Sequence, residues 1–139
     1  MVEYLKRKID NYLIDWKADA DHKPLIIKGA RQVGKTESIR KFAEANYDSV
    51  VEINFVSDPV YKQIVENGYS PDAIIKNISR INPAFKFVKD KTLIFFDEIQ
   101  EFPDITTSLK FFDIDKKYDV ICSGSLLGIH YKEISNISV

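Results

Sequence analysis

Leu25-Ile26-Ile27-Lys28-Gly29-Ala30-Arg31-Gln32-Val33-Gly34-Lys35-Thr36 carries the reading of the whole chain. Its last eight residues match G-x-x-x-x-G-K-[ST], a loop that wraps phosphate groups. The apolar run Leu25-Ile26-Ile27 before it reads as a buried strand. Glu37-Ser38-Ile39-Arg40-Lys41-Phe42-Ala43 after it keeps helical spacing. Strand, glycine loop, helix is the order in which this motif works. Concentrated negative charge is met by main-chain N–H groups and by the positive end of the helix dipole. Gly29 and Gly34 allow close backbone approach. Lys35 supplies a point charge for β- and γ-phosphates, and the Thr36 hydroxyl suits a hard cation such as Mg²⁺. Ala30, Arg31, Gln32 and Val33 contribute backbone to the cradle rather than side-chain chemistry. Glu37 follows Thr36 in the first helical turn and completes the predicted nucleotide-binding set.

A second segment, Leu93-Ile94-Phe95-Phe96-Asp97-Glu98, is four apolar residues ending in two carboxylates. Such a run suits a central parallel strand covered on both faces. It delivers Asp97 and Glu98 to the carboxyl edge of the sheet, where open α/β folds bind ligands. Asp97 is the predicted Mg²⁺ residue beside Thr36. Glu98 is the predicted group that orients and polarises an attacking water. The bland alternative is a strand whose acidic end caps a turn, but the partnership with the phosphate loop favours chemistry. A third segment, Tyr118-Asp119-Val120-Ile121-Cys122, reads as a buried strand ending in Ser123-Gly124-Ser125. A polar residue at such a tip can contact the terminal phosphate or the water, a role that Ser125 or Ser123 could take. An N-cap for a following helix is the structural alternative.

The 139 residues suffice for one domain with a core. Twenty basic and 21 acidic residues leave a net charge of -1, so bulk charge points to neither nucleic acid nor membrane. Lys6-Arg7-Lys8 reads as a solvated helix face. The single cysteine, Cys122, falls inside a predicted strand and reads as a buried, inert thiol. No disulfide framework is available, which fits a reducing cytoplasm. His22 and His130 lack partners at metal-ligand spacing and read as loop or surface residues. The N-terminus has no secretory signal pattern, and no apolar run approaches spanning length.

Residues 2–16 are predicted as an amphipathic helix with Tyr4, Leu5, Ile9, Tyr12, Leu13 and Trp16 on one face. With the polar stretch that follows, it forms a leading segment over 1–23. The loop helix is predicted to run to about Asn46, and a second strand spans 50–55. Ser57-Asp58-Pro59 starts a helix that Asn67-Gly68 ends. Another starts at Ser70-Pro71 with Ile74, Ile75, Ile78 and Ile81 inward. Phe102-Pro103 starts a further helix with Leu109, Phe111 and Phe112 on its apolar side. A loop or short helix is expected from Leu126 to about Glu133. Alternating strands and helices predict an α/β fold, a three-layer αβα arrangement around a parallel sheet.

These motifs together resemble the N-terminal ATPase portion of a prokaryotic AAA-type family, whose members join it to a C-terminal domain often described as nuclease-like. The matching runs are residues 24–36, 92–101 and 118–128, with Ile53-Asn54-Phe55 and the Trp16 helix also fitting. The resemblance implies an additional-strand sheet ordered 2-3-4-1. It implies Lys35 and Thr36 as phosphate and Mg²⁺ residues, Asp97 and Glu98 as the Walker B pair, and Ser125 as sensor. It also implies that Gln100 helps position water or a neighbouring subunit. A fifth strand, a lid and a C-terminal domain should follow, so the chain reads as a fragment, residues 1–139, with the fifth strand missing and a bare sheet edge. The family's arginine finger, often supplied in trans within a homo-oligomer, has no counterpart among Arg7, Arg31, Arg40 and Arg80.

The function expected is ATP binding with Mg²⁺-dependent hydrolysis that drives conformational change. A P-loop kinase is a rival, opposed by Glu98 and by the shortage of arginines. A non-hydrolysing nucleotide switch or assembly module is the other, favoured by the missing finger. DNA often partners such ATPases, but no basic stripe or nucleic-acid motif occurs here.

Overall fold

A computed structural model describes residues 2–29, 34–125 and 135–138. The helices are α1 (Val2–Ala18), α2 (Lys35–Asn46), α3 (Pro71–Ile81) and α4 (Leu109–Asp115). The strands are β1 (Leu25–Lys28), β2 (Ser49–Asn54), β3 (Thr92–Asp97), β4 (Asp119–Gly124) and β5 (Ser135–Ser138). They form one parallel sheet in the order β2-β3-β4-β1-β5. The predicted order 2-3-4-1 therefore stands. The expected bare edge does not, because β5 pairs with β1 along its whole length. Ser135-Asn136-Ile137-Ser138 holds one apolar residue, too little for a hydrophobic signal. An edge strand needs only main-chain partners, and β1 supplies them.

Side-chain alternation divides the core into two layers. Leu25, Ile27, Leu93, Phe95 and Ile121 meet Ile9, Leu13 and Trp16 of α1 and Ile39 and Phe42 of α2. Ile26, Val51, Ile53, Ile94, Phe96 and Val120 face the other way, onto Ile74 and Ile78 of α3 and Leu109 and Phe112 of α4. Every residue of β3 is buried, as a central strand covered on both faces requires. No helix among the described residues is long and apolar enough to cross a membrane.

Several local expectations change. Tyr4 is 67% exposed, because at about 3.6 residues per turn it falls on the far side of α1 from Leu13. Phe111 lies outward while Phe112 is buried, the two side chains leaving the helix about 100° apart. Ile75 and Ile81 are only partly buried. Pro59–Val65 and Pro103–Ser108 are 3₁₀ rather than α-helical. In the second, the Thr106 hydroxyl donates to the Pro103 carbonyl at 2.6 Å and Ser108 to Ile105 at 2.5 Å. These local bonds compete with α-helical pairing. His22 is not a plain surface residue: its Nε2 lies 2.7 Å from Asp119 Oδ1. Cys122 is fully buried, and burial pushes its thiol far above the ordinary range, as an inert core thiol should behave. His130 and the segment 126–133 lie outside the described residues.

Phe96 is fully buried and stacks on Phe55 with ring centroids 5.8 Å apart. Phe96→Ala is expected to cost about 3–5 kcal/mol, a large share of a stability of about 5–15 kcal/mol. Urea denaturation measures it, and an unchanged midpoint would contradict this account of the core.

Candidate functional site at the carboxyl edge of the sheet

Because β4 lies between β1 and β3, the tips of three strands sit side by side. Lys28 of β1 is level with Gly124 of β4, and Asp97 of β3 is level with Ser123. The Gly29 N–H donates to the Gly124 carbonyl at 3.2 Å, so the pairing continues past β1 into the start of the loop. Gly34 precedes α2 with φ +75°, a conformation that favours glycine.

Lys35 opens α2 and turns inward, leaving 3% of its surface exposed. Its ammonium donates to the Gly29 carbonyl at 2.7 Å and the Gly124 carbonyl at 2.9 Å. Two carbonyl dipoles thus offset the cost of burying the charge. The next residue, Thr36, donates from its hydroxyl to Asp97 Oδ2 at 3.3 Å. The structure therefore brings both predicted Mg²⁺ residues to one point, from positions 61 residues apart. Asp97 is 3% exposed. Burial is the main cause that holds its carboxyl above the usual range, and the Glu98 and Glu52 charges add to it. The Glu98 main-chain N–H, which donates to Asp97 Oδ1 at 2.8 Å, and the Thr36 hydroxyl pull the other way. A buried carboxylate beside a hydroxyl is a hard-oxygen pair, the donor chemistry that Mg²⁺ takes. The residues present fit that cation.

Glu98 has φ 58° and ψ 45°, left-handed and unusual for a residue with a Cβ. A short 3₁₀ turn, Ile99–Glu101, follows. Gln100 reaches back, donating from Nε2 to Glu98 Oε2 at 2.6 Å. Its Oε1 accepts the Ser125 main-chain N–H at 3.1 Å. Ser123 is fully buried beside Asp97, and its hydroxyl has no hydrogen-bond partner among the described residues. Ser125 is half-buried at the strand tip. Both serines lie at this edge, with Ser123 the closer to Asp97 in register. Ala30, Arg31, Gln32 and Val33 lie outside the described residues.

Three features escaped the sequence reading. Lys6 is not merely solvated: its stem lies over Gly34, where an added Cβ would meet Lys6 Cε at 2.7 Å. Its ammonium pairs with Glu37 Oε2 at 3.3 Å. Hydrogen bonds from Lys41, then Lys6, hold the Glu37 carboxyl below the usual range. The Gly124 carbonyl acts as an anchor for Lys35, and Gln100 bridges two strand tips. For the last, the resemblance had implied only that Gln100 helps position water or a neighbouring subunit. A separate cavity, lined by Trp16, His22, Lys116 and Asp119 among others, opens at the amino edge of the sheet. Parallel α/β sheets place their ligands at the other edge.

A family profile described as an AAA domain matches residues 21–138. A search of curated proteins finds no significant match. Among solved structures 39 chains match. One, titled "Structure of C. elegans PCH-2", is 14% identical with a TM-score of 0.49. The alignment covers 99% of this chain and 40% of that one, so this chain spans well under half its length.

Two outcomes follow from the geometry. Asp97→Asn removes a charge that burial disfavours while keeping an acceptor for the Glu98 N–H. A carboxyl held above its ordinary range weakens the fold as pH rises through that range. The variant should therefore melt a few degrees higher at neutral pH, with the gain vanishing under acid conditions. A lower melting temperature at pH 7 would contradict the assignment of burial as the dominant cause. Gly124→Ala places a Cβ 2.9 Å from both Gln100 Oε1 and Ile99 Cγ1. Such overpacking should cost about 1–3 kcal/mol, read by calorimetry.

Proposed function

The chain belongs to the AAA domain family, a family of nucleotide-binding ATPase modules, and on that premise we propose that it binds ATP with Mg²⁺ and hydrolyses it. The observation that carries this reading is the meeting of Thr36 and Asp97 at 3.3 Å beside the buried ammonium of Lys35. One hydroxyl, one carboxylate and one cation converge where a triphosphate and its metal would sit.

The roles follow from the chemistry of each group. Main-chain N–H groups between positions 30 and 37 cradle the phosphates, aided by the positive end of α2. Lys35 neutralises the β- and γ-phosphates. Thr36 and Asp97 would hold Mg²⁺, which would supply positive charge beside the phosphates. Glu98 accepts a hydrogen bond from the attacking water and aligns it with the γ-phosphorus. Water adds to phosphorus, the bond to the bridging oxygen breaks, and ADP and inorganic phosphate leave. Ser125, with Ser123 nearby, senses the terminal phosphate. Turnover drives a conformational change, and an arginine completing the site in trans would come from a neighbouring copy. A cytoplasmic, prokaryotic setting and a C-terminal nuclease-like partner domain belong to the same reading.

The test is Mg²⁺-ATP binding and phosphate release for the chain and two variants. Lys35→Ala should abolish binding. Glu98→Gln should keep binding and lose at least about a hundredfold in turnover. Binding that survives Lys35→Ala would sink the nucleotide site. Binding without release in the unsubstituted chain would favour a non-hydrolysing switch. Phosphate appearing only with an added acceptor would favour a kinase.

A further inference from the structure

Gln100 is half-buried, and both ends of its amide are engaged. Nε2 donates to the Glu98 carboxylate at 2.6 Å, a short, charge-assisted bond. Oε1 accepts the Ser125 main-chain N–H at 3.1 Å. Those partners fix the orientation of the amide, because a carboxylate only accepts and an N–H only donates. A primary amide is suited to this place: glutamate would lose the donor toward Glu98, and lysine would lose the acceptor for Ser125. Two further observations point the same way. Gly124 leaves room for the bridge, since a Cβ there would meet Gln100 Oε1 at 2.9 Å. Glu98 is held at φ 58°, and such left-handed backbone at a polar residue concentrates at working sites. Its main chain is fixed on both sides, by its N–H to Asp97 Oδ1 at 2.8 Å and by its carbonyl, which accepts the Glu101 N–H at 3.1 Å.

We propose that Gln100 is a positioning residue that ties the Glu98 carboxylate to the tip of β4, so that a shift at Ser125 moves the group that orients water. This rests on the hydrolytic reading above. The bland alternative is an amide that merely caps the 3₁₀ turn. A cap needs neither the Glu98 carboxylate nor a neighbouring strand, and Gln100 is bonded to both.

The experiment uses the 139-residue chain with Gln100→Ala and Gln100→Glu, each also combined with Glu98→Gln. Mg²⁺-ATP affinity, single-turnover phosphate release and amide hydrogen exchange at Ser125 are read together. The expected result is affinity within about twofold and turnover down about tenfold or more for Gln100→Ala, comparable to losses seen when groups that orient an active side chain are removed. Gln100→Glu should lose more, because it sets a second carboxylate against Glu98. Ser125 exchange should quicken in Gln100→Ala, and neither substitution should lower the residual turnover of Glu98→Gln further. Equal losses with and without Glu98 would make Gln100 merely structural and overturn the proposal. Unchanged turnover and exchange in an active chain would overturn it while leaving the ATPase reading intact. A chain that binds ATP but releases no phosphate would remove the hydrolytic reading and this one with it.

Discussion

The insertion of β4 between β1 and β3 is the constraint on which the site depends. Parallel pairing puts Gly124 level with Lys28 and Ser123 level with Asp97. From that register follow the carbonyl that anchors Lys35 and the proximity of Asp97 to α2. A shift of β4 by one residue would turn Val120 and Cys122 out of one core layer and Ile121 out of the other. The hydrophobic pattern therefore fixes the register, and the register fixes the polar geometry at the strand tips.

The opposite edge of the sheet is held by a separate polar network. Asp119, at the start of β4, meets His22 at 2.7 Å and accepts the Tyr47 hydroxyl at 2.5 Å. Lys17 lies over the Tyr47 ring, 4.2 Å from its centroid. The His22 Nδ1–H donates to the Asp19 carbonyl at 2.7 Å, and Trp16 packs edge-on against the His22 ring. Trp16 Nε1–H donates to the Lys23 carbonyl at 2.8 Å. These contacts tie the end of α1, the loop into β1 and the end of α2 to one carboxylate. Rigid anchoring at the amino edge leaves the carboxyl edge to carry the loops, the usual division of labour in α/β folds.

The carboxyl edge, by contrast, holds features that cost stability. Lys35 and Asp97 are both charged residue types with 3% exposure, and Glu98 sits in left-handed backbone. Each is retained by specific partners: carbonyls for Lys35, a hydroxyl and an N–H for Asp97, an amide for Glu98. Local rules of propensity and burial are broken where chemistry is expected, and the surrounding core sustains the expense.

The sequence by itself determined the parallel α/β class, the four main strands and the placing of Lys35 and Thr36 at the start of α2 and Asp97 at the end of β3. Those features are local: glycine spacing, helical period and apolar runs ending in carboxylates are written in contiguous residues. It misjudged Tyr4, Phe111 and the 3₁₀ segments, where facing and hydrogen-bond competition depend on neighbours. β5 was invisible because its four residues include a single apolar one, whereas its pairing with β1 runs through the main chain. Only the tertiary structure decided that Gly124 serves Lys35, that Lys6 covers Gly34 and that Gln100 joins Glu98 to Ser125. Each of these joins residues distant in the sequence or depends on how two strand tips meet. Such contacts are set by sheet register and side-chain packing, which no local pattern encodes.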